Sequence, residues 1–416
     1  MAAPLRVAVL ARAVMPIHGV GGLERSVHDL VRFLAARGVQ VTLITPPASA
    51  PADPGALASP NIAWRPVPYV TFPLANRRGT TILDRSTAYP LFGLRAGRQA
   101  LGLARSGAID VVHGFGASVL GYALARRQAP APLVFNPQGL EEFGATAAQP
   151  WLKHVGYGPL RRAVRVSARA ADAIIATDEA LVPALTRHLH PRPGQVHVIP
   201  NGIDLAAVDA LATAADAARI RERHGLAPDE TLLLSVGRLE FNKGFDLMPD
   251  ALARASRPGG PLAEGPWRWV LVGAGPFAHE IESAVAARGL SSHVLFAGRV
   301  SDAELHAWYD AATLFVHPTR YEGSSIVTLE AMAHRRAVVA TRAGGLPDKV
   351  RPGVNGWLAD PGDGPALAAE LTAALSDRGR LAAMGARSRA IVERDFAWAV
   401  LVDRQIALYA SLLNRR

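Results

Sequence analysis

The sequence predicts an α/β protein of two doubly wound domains, each a parallel sheet covered by helices. Short apolar runs rich in β-branched residues alternate with helical patterns along the chain, which is typical of parallel strands joined by crossover helices. The series of runs restarts after the segment HVIPNGID, which ends at residue 204. With 416 residues, the chain is also too long for one ordinary hydrophobic core.

The predicted strands divide between the two halves of the chain. In the first half they are 6–11, 39–45, 110–115, 132–137, 173–177 and 196–200, and in the second half 231–237, 269–275, 294–298, 313–318 and 337–341. Residues 46–76, rich in proline and alanine, are interpreted as an irregular excursion. We therefore expect an N-terminal domain over 1–200 and a C-terminal domain over 201–395. The amphipathic segment 396–416 has no following strand and is predicted to pack back on the first domain.

Composition excludes several classes of protein. The chain has no cysteine, so it has no disulfide framework, thiolate metal site or cysteine nucleophile. The N-terminal run MAAPLRVAVLARAVMP is broken by Arg12 and is interpreted as a first buried strand rather than a signal peptide. Since no stretch reaches the roughly 18 uninterrupted apolar residues that a spanning helix needs, we expect a cytoplasmic protein.

The positive charge of the chain belongs to its first half. Residues 1–200 hold 21 basic and 10 acidic side chains, whereas residues 201–416 hold 24 and 25. A field of one sign attracts an anionic partner, such as a membrane surface, an acidic substrate or a nucleic acid. Because the aromatic-interleaved, zinc-finger and basic-zipper patterns of nucleic-acid binders are absent from the sequence, we predict no nucleic-acid partner.

Two loops that follow predicted strands carry residue types suited to anions. Gly21 and Gly22 precede a helical pattern, and glycines there let backbone N–H groups approach an anion or a sugar, although an ordinary tight turn explains them equally well. Arg238 and Lys243 follow the first strand of the second half, where two cations can hold a diphosphate. Only 3 of the 45 basic residues are lysines, so Lys243 goes against the composition of the chain. The alternative is a pair of solvated surface cations.

The segment LVGAGPFA, residues 271–278, matches the loose dinucleotide pattern Gly-x-Gly-x-x-Ala after a strand. The next strand leads into Arg299 and lacks the acidic residue that binds a ribose in NAD enzymes. We therefore interpret Gly273 and Arg299 as parts of a nucleotide-side loop rather than of a hydride-transfer site.

Two glutamates bracket a predicted helix start in HPTRYEGSSIVTLEAMAHRR, residues 317–336. The helix is predicted to begin near Ser324 and Ser325, where free N–H groups and the helix dipole suit a phosphate. We expect Glu322, in the preceding loop, to face what the phosphate carries, and Glu330, nearly two turns further on, to reach a ribose. Helix capping is the alternative explanation for Glu322. With the upstream cations, the acids indicate a site that transfers a group from a nucleoside diphosphate.

Taken together, the motifs resemble those of the GT-B glycosyltransferases of family 4, which are retaining enzymes with a Glu-x7-Glu motif. The matching segments run nearly from end to end: GGLERSVHDLVRFLAARGVQVTLIT, ADAIIATDEAL, VIPNGID, VGRLEFNKG, LVGAGP, VLFAGRVSDAEL, YEGSSIVTLEAMA and AGGLPDKVRPGVNGWLADPGD. The resemblance implies two Rossmann-like domains that face a cleft, and a nucleoside-diphosphate sugar as donor substrate. It also implies departure and attack on the same face of the sugar, without a stable covalent intermediate.

The resemblance assigns catalytic roles to three residues. Arg238 and Lys243 would hold the donor diphosphate and stabilise it as a leaving group, because preorganised positive charge favours the developing anion. Glu322 would bind hydroxyls of the transferred sugar, and Glu330 would bind the nucleoside ribose.

The resemblance also implies backbone contacts. Gly323, Ser324 and Ser325 would bind donor phosphate or sugar, and Gly21 and Gly22 would line the cleft.

The sequence has no Asp-x-Asp pair, so we predict no essential metal and no cofactor.

The sequence departs from the family pattern near the acceptor. DVVHGFG keeps His113 but has Phe115 where many relatives carry a second histidine, and NPQGLEEF has Gln138 where a histidine is common. His113 is either a cleft residue or a buried strand-end histidine. Gln138, Glu141 and Glu142 are further candidates to receive the acceptor proton. EGSSIV also replaces the commoner EGFGLV, which leaves the sugar open.

The segment 151–172 holds five basic residues before its first acid, with apolar residues between them. We interpret it as a membrane contact or a groove for an anionic acceptor, the alternative being an ordinary solvated helix.

We expect transfer of a hexose or N-acetylhexosamine to a lipid-linked or anionic glycan acceptor, in cell-surface polysaccharide or lipopolysaccharide synthesis at the inner face of the membrane. A sugar-nucleotide 2-epimerase and a catalytically silent sugar-nucleotide-binding partner are the alternatives.

Overall fold

The computed structural model describes residues 3–19, 21–48, 57–71, 81–144 and 155–415. The chain divides into two compact units, Met1–Asn201 with Leu401–Arg416, and Gly202–Val400. Each unit contains one sheet of parallel strands connected through helices. This architecture confirms the predicted α/β class with two doubly wound domains.

The first unit has a seven-stranded parallel sheet in the order β3-β2-β1-β4-β5-β6-β7. Its strands are β1 Arg6–Leu10, β2 Gln40–Thr45, β3 Ile62–Pro66, β4 Val111–Phe115, β5 Leu133–Asn136, β6 Ala173–Ala176 and β7 Val196–Val198. The central strands β4 and β5 are buried along their whole length, as expected for parallel strands covered on both faces. The strand order changes direction between β1 and β4, and open parallel sheets bind their ligands at such a point.

In the described part of the first unit, five helices connect these strands. They are α1 Gly22–Ala36, α2 Thr81–Arg105, α3 Leu120–Leu124, α4 Gly158–Ala170 and α5 Leu181–Leu189. Helices α2, α3 and α4 pack against one another and contribute to one core cluster of this unit. Helix α2 approaches the 3₁₀ turn Gly116–Val119 closely. This approach requires Gly93, because a Cβ there would lie 1.9 Å from the carbonyl oxygen of Ala117.

The second unit has a six-stranded parallel sheet in the order β10-β9-β8-β11-β12-β13. Its strands are β8 Thr231–Val236, β9 Trp267–Val272, β10 Val294–Gly298, β11 Leu314–His317, β12 Ala337–Thr341 and β13 Gly356–Ala359. All six residues of β8 are buried, and its successive leucines Leu232 and Leu233 belong to different core clusters. Both faces of this sheet are therefore covered, and its order changes direction between β8 and β11.

The helices of the second unit continue the alternation. They are α6 Leu205–Leu211, α7 Ala214–Arg223, α8 Met248–Ala255, α9 Ala278–Ala286, α10 Asp302–Ala311, α11 Ile326–Ala333, α12 Leu346–Lys349, α13 Gly364–Ser376 and α14 Leu381–Ile391. A 3₁₀ turn, Phe241–Lys243, follows β8. In the described part of the chain, no helix is long and apolar enough to cross a membrane.

The last helix, α15 Trp398–Leu413, returns to the first unit. Asp403 pairs at 3.0 Å with Arg37, which directly follows α1, and the Tyr409 hydroxyl lies 2.6 Å from Nδ1 of His113 on β4. The predicted packing of the C-terminal helix on the first domain is confirmed.

Two strands are not predicted by the sequence pattern. β3 lies inside the segment 46–76, so the interpretation of that segment as wholly irregular is wrong. It is an edge strand with only partly buried or exposed residues and a terminal Pro66, and therefore lacks the apolar run of a central strand. β13 spans only Gly356–Ala359 and begins with a glycine, which weakens the strand signal.

Candidate active site

The loops after β8 and β11 meet beside the point where the second sheet changes direction. Lys243 ends the 3₁₀ turn after β8, and Glu322 lies in the loop after β11. Nζ of Lys243 lies 2.7 Å from Oε2 of Glu322. The backbone N–H of Arg320 donates to the carbonyl of Asn242 at 2.8 Å and fastens one loop to the other. The structure thus brings together two of the predicted catalytic residues, which are 79 positions apart.

Two glycines let the loops pack this closely. Gly244 has φ +67°, and a Cβ there would lie 2.0 Å from the carbonyl oxygen of Pro318. Gly344 has φ +49°, and a Cβ there would lie 1.7 Å from the carbonyl oxygen of Glu322. Both positions therefore require glycine for conformation and for space. Gly344 fixes the backbone of the loop that carries Glu322.

Sequence reasoning missed His317, the last residue of β11. Its Nε2 lies 2.9 Å from Oε2 of Glu322, and its side chain is wholly buried. Because a carboxylate only accepts hydrogen bonds, Nε2 carries the proton. Nδ1 of His317 has no hydrogen-bond partner within the described residues. Its place at the carboxyl end of a central strand is the signal that could have identified it.

The surroundings of Glu322 keep it ionised. Burial raises the pKa of this carboxyl group, but the hydrogen bond and charge of His317 and the ammonium of Lys243 outweigh burial and lower the pKa to about 2. Both partners bind Oε2, whereas Oε1 makes no hydrogen bond to a described residue. The carboxylate therefore presents an acceptor oxygen suited to sugar hydroxyls. The bonds of its side chain go to Lys243 and His317, so helix capping does not explain it.

Arg238 makes no hydrogen bond or ion pair with this cluster in the described part of the chain. Its Nη1 bonds Oε1 of Glu240 at 2.7 Å, and its side chain is 74% exposed. An exposed ion pair of this kind contributes little to stability, so Arg238 can exchange Glu240 for another anion at small cost.

The start of α11 follows the Glu322 loop directly. The helix begins at Ile326 with Ser325 as its N-cap, close to the predicted start. The Ser325 hydroxyl lies 2.9 Å from that of Thr328, and the buried hydroxyl of Ser324 has no partner among the described side chains or backbone. Gly323 accepts a hydrogen bond from the N–H of Gly345 at 3.3 Å. The turn thus keeps one unused polar group beside Glu322.

Glu330 lies further along α11 and is buried, with 4% exposure. Its Oε2 accepts a hydrogen bond from the Tyr309 hydroxyl at 3.0 Å. Sequence reasoning did not identify Tyr309, because it belongs to the neighbouring helix α10.

The Gly-x-Gly pattern after β9 has a packing cause. A Cβ on Gly273 would lie 1.9 Å from the carbonyl oxygen of Gly237, and the Gly273 N–H donates to the carbonyl of Gly298 at 2.8 Å. Gly273 therefore joins the loops after β8, β9 and β10. Arg299, in the last of these loops, is exposed and pairs with no described residue.

In the first unit, His113 is a core residue. It is 1% exposed and stacks on Phe115, and burial lowers its pKa to about 3. It is therefore neutral, and of the two alternatives the structure favours the buried strand-end histidine. Gly21 and Gly22 are exposed at the N-cap and first residue of α1.

The loop after β5 gathers the remaining acceptor candidates. Gln138 has φ +63°, and its side chain donates to Oδ1 of Asn136 at 3.0 Å. Glu141 pairs with Arg85 of α2 at 2.8 Å. Burial, together with the charge of Glu141, raises the pKa of Glu142 to about 7. A pKa near neutrality suits the Glu142 carboxyl group to proton transfer.

The basic segment 151–172 is only partly described, since residues 151–154 lie outside the described ranges. Tyr157, Leu160 and Val164 are buried in the core of the first unit, whereas Val155 is exposed. The predicted apolar face of this segment therefore packs inward.

Among the residues that the structure describes, no three His, Asp or Glu side chains form a group that could hold a metal ion.

Comparison with known proteins identifies the family. The model for Glycosyltransferase Family 4 matches residues 20–207, and the model for Glycosyl transferases group 1 matches residues 216–391. A D-inositol 3-phosphate glycosyltransferase of Xylanimonas cellulosilytica is 31% identical over 99% of this chain and 98% of its own length. The chain is a family 4 glycosyltransferase. This membership sets aside the 2-epimerase alternative.

Other relatives of this glycosyltransferase support the same assignment. The lipopolysaccharide core biosynthesis mannosyltransferase LpcC of Rhizobium leguminosarum is 33% identical over 52% of the chain and 60% of its own length. Sucrose-phosphate synthase from Thermosynechococcus elongatus matches with a TM-score of 0.74 and 25% identity, over 99% of this chain and 100% of that one. HepE of Anabaena, solved with UDP and glucose, matches over 98% and 99% with a TM-score of 0.69 and 22% identity. The structural matches confirm the GT-B fold.

Proposed function

We propose that this glycosyltransferase moves a hexose or N-acetylhexosamine from a nucleoside-diphosphate sugar to an anionic acceptor, with retention at the anomeric carbon. The observation that carries the proposal is the buried Lys243–Glu322–His317 cluster at the carboxyl edge of the second sheet. It combines a cation suited to a diphosphate with a fixed carboxylate suited to sugar hydroxyls. The HepE complexes with UDP-glucose support a donor of this class.

In the proposed reaction, the bond between the anomeric carbon and the diphosphate oxygen breaks. The acceptor oxygen forms its bond to the same face of that carbon, and the acceptor proton passes to the departing diphosphate. Lys243 donates to the diphosphate with the N–H groups that Glu322 leaves free, and Arg238 leaves Glu240 for the phosphate. Their positive charge stabilises the leaving group, so we propose that no metal is needed.

The pKa of Glu322 favours a binding role over proton transfer. A general base works best when its pKa lies near the operating pH, whereas this carboxyl group has a pKa of about 2. One of its oxygens is also occupied by two donors, which lowers its strength as a nucleophile. We therefore assign Glu322 to the sugar hydroxyls, which agrees with a reaction without a covalent intermediate.

We propose a phosphate-bearing or lipid-linked acceptor. The relative of Xylanimonas cellulosilytica is named for D-inositol 3-phosphate and LpcC for lipopolysaccharide core biosynthesis. The first unit carries the positive charge of the chain, and Arg85 and Arg161 both contact the loop after β5 that carries Glu141 and Glu142. Parallel assays with inositol phosphates and with lipid-linked glycans distinguish the two acceptor sources.

We also propose peripheral contact with an anionic membrane through the outer face of α2, α3 and α4. Four exposed arginines on this layer or directly after α3 have no partner within the described ranges: Arg98, Arg127, Arg162 and Arg169. Leu91 of α2 and Leu124 of α3 are also exposed, to 49% and 63%. Unpaired cations beside exposed aliphatic side chains suit anionic headgroups.

A thermal-shift panel tests the donor site. The wild type and Lys243→Met are heated with UDP-, GDP- and ADP-sugars, with magnesium or with EDTA, and Arg257→Ala serves as a surface control in the same unit. A ligand that binds the native state raises the melting temperature. We expect one nucleotide sugar to stabilise the wild type and Arg257→Ala equally in EDTA, and to leave Lys243→Met unchanged.

Two results would contradict this proposal. If no nucleotide sugar shifts the wild type at millimolar concentration, the donor assignment fails and the silent-partner alternative gains support. If stabilisation appears only with magnesium, the proposed metal independence is wrong.

A further inference from the structure

A buried polar network joins helices α10 and α11 in the second unit. Its members His306, Tyr309, Glu330 and His334 are all buried. Burying polar and ionisable groups costs free energy unless they are hydrogen-bonded, and such groups concentrate where function requires them. The network includes Glu330, the residue assigned to the donor ribose, so its geometry bears on how that residue is held.

Tyr309 makes the contact that reaches Glu330. Its hydroxyl donates to Oε2 of Glu330 at 3.0 Å. A hydrogen bond to a carboxylate is roughly twice as strong as one between neutral groups. The contact therefore restricts the side chain of Glu330.

The ring of Tyr309 is itself held in place by His334. It stacks on the His334 ring with centroids 5.7 Å apart and planes at 12°. Nδ1 of His334 donates to Oδ1 of Asp310 at 2.7 Å, since the carboxylate can only accept. Nε2 of His334 also lies 2.7 Å from Nδ1 of His306, and one of these two nitrogens donates to the other. The histidine cannot turn without breaking two hydrogen bonds, so the ring of Tyr309 keeps its orientation.

We infer that Tyr309 is a positioning residue, whose hydroxyl holds Glu330 in the orientation that accepts the ribose hydroxyls of the donor. This inference rests on the proposed function, because it requires a nucleoside-diphosphate donor and takes Glu330 as its ribose ligand, the role that the family resemblance implies. A glutamate side chain has several rotatable bonds, and fixing it before binding removes the entropy cost of ordering it. The network is the preformed support that such a contact requires.

The test is the discrimination between ribose and deoxyribose. Dissociation constants are measured by calorimetry for UDP, GDP and ADP and for their 2′-deoxy forms, and the pair with the tightest ribose form is used for the variants. Tyr309→Phe removes the hydroxyl and keeps the ring that stacks on His334. We expect it to weaken the ribose form roughly tenfold and the 2′-deoxy form less than twofold.

Two further variants make the result specific. Tyr122→Phe is the matched control, because it removes another buried tyrosine hydroxyl, which donates to the carbonyl of Ala131 at 2.7 Å in the first unit. It should change neither dissociation constant. In a Glu330→Gln background, Tyr309→Phe should change the ribose form less than twofold, because its effect passes through Glu330.

The outcomes separate the inference from the proposed function. If Tyr309→Phe weakens both forms equally, or leaves the ribose preference of the wild type intact, Tyr309 is only structural and the inference is overturned. If the wild type prefers ribose and the variant loses that preference, the inference stands. If the wild type binds none of the three diphosphates, the proposed donor site fails first, and the inference falls with it.

Discussion

A single carboxylate shows how local contacts decide chemistry. Glu322 is buried, which alone would favour its neutral form, yet Lys243 and His317 both bind its Oε2 and lower its pKa to about 2. The same two contacts fix the side chain and leave Oε1 for a ligand. At the scale of the residue, the site is therefore a preorganised acceptor of hydrogen bonds rather than a proton-transfer group.

Replacement of Lys243 by Met should destabilise the protein in a pH-dependent way. The side chains of Lys243 and Glu322 are 15% and 13% exposed. The substitution therefore leaves a mostly buried carboxylate with His317 as its one remaining partner among the described residues. We expect a loss of about 3 kcal/mol in the free energy of unfolding at pH 7, measured by urea denaturation.

The direction of this pH dependence follows from the lowered pKa of Glu322. An unfolded glutamate titrates near a pKa of about 4.3, so the stabilisation is present above that pH and is lost as pH falls towards 2. The difference between wild type and Lys243→Met should therefore shrink between pH 5 and pH 3. A difference that stays constant over this range would show that Glu322 is not its source.

At the scale of the element, glycines set the geometry of the loops that carry the site. Gly244 and Gly344 both have positive φ and lie where a Cβ would overlap a carbonyl oxygen of the β11 loop. The position of Glu322 thus depends on two residues that have no side chain.

Replacement of Gly344 by Ala should displace the Glu322 loop. A Cβ there would lie 1.7 Å from the carbonyl oxygen of Glu322, so the backbone has to move. We expect kcat to fall at least tenfold and the free energy of unfolding to fall by about 2 kcal/mol. Gly353→Ala is the matched control, because Gly353 has φ +74° but no atom within 4 Å of its Cβ position. Equal activity losses in the two variants would indicate backbone strain alone.

Sequence patterns predict those elements whose signal is local. Central strands such as β8 are buried along their whole length and contain a run of apolar residues. The loops that follow these strands contain Lys243 and Glu322, as expected because parallel sheets bind ligands at the carboxyl ends of their strands. The edge strand β3 lacks such a run. The contact between Tyr309 and Glu330 spans two helices, 21 positions apart, and no spacing rule predicts it. His317 ends β11, whose other residues are apolar, so the pattern of this strand indicates a core role.

At the scale of the whole molecule, charge separates the two units. The first 200 residues carry an excess of basic side chains, and the outer face of α2, α3 and α4 leaves Arg98, Arg127, Arg162 and Arg169 without partners in the described structure. The second half of the chain is nearly balanced. An anionic partner is therefore expected to approach the first unit.

Neutralising three of these arginines should weaken binding to anionic vesicles. Each arginine near a negative membrane contributes about 1 kcal/mol, so the triple variant Arg98→Gln, Arg162→Gln, Arg169→Gln should lower the partition coefficient about a hundredfold. Co-sedimentation with phosphatidylcholine vesicles containing phosphatidylglycerol measures this. The control is Arg254→Gln, Arg257→Gln, Arg387→Gln on the second unit. Equal binding by both triple variants would contradict the proposed surface.

Transfer with retention at the site of Lys243 and Glu322 can be measured in the product of the reaction. The most direct test is proton NMR of the reaction, with the donor identified by thermal shift and with inositol phosphate or lipid-linked glycan acceptors. We predict a new anomeric signal with the configuration of the donor, formed in EDTA and reduced at least a hundredfold in Glu322→Gln. A product of inverted configuration, or full activity in Glu322→Gln, would contradict the account.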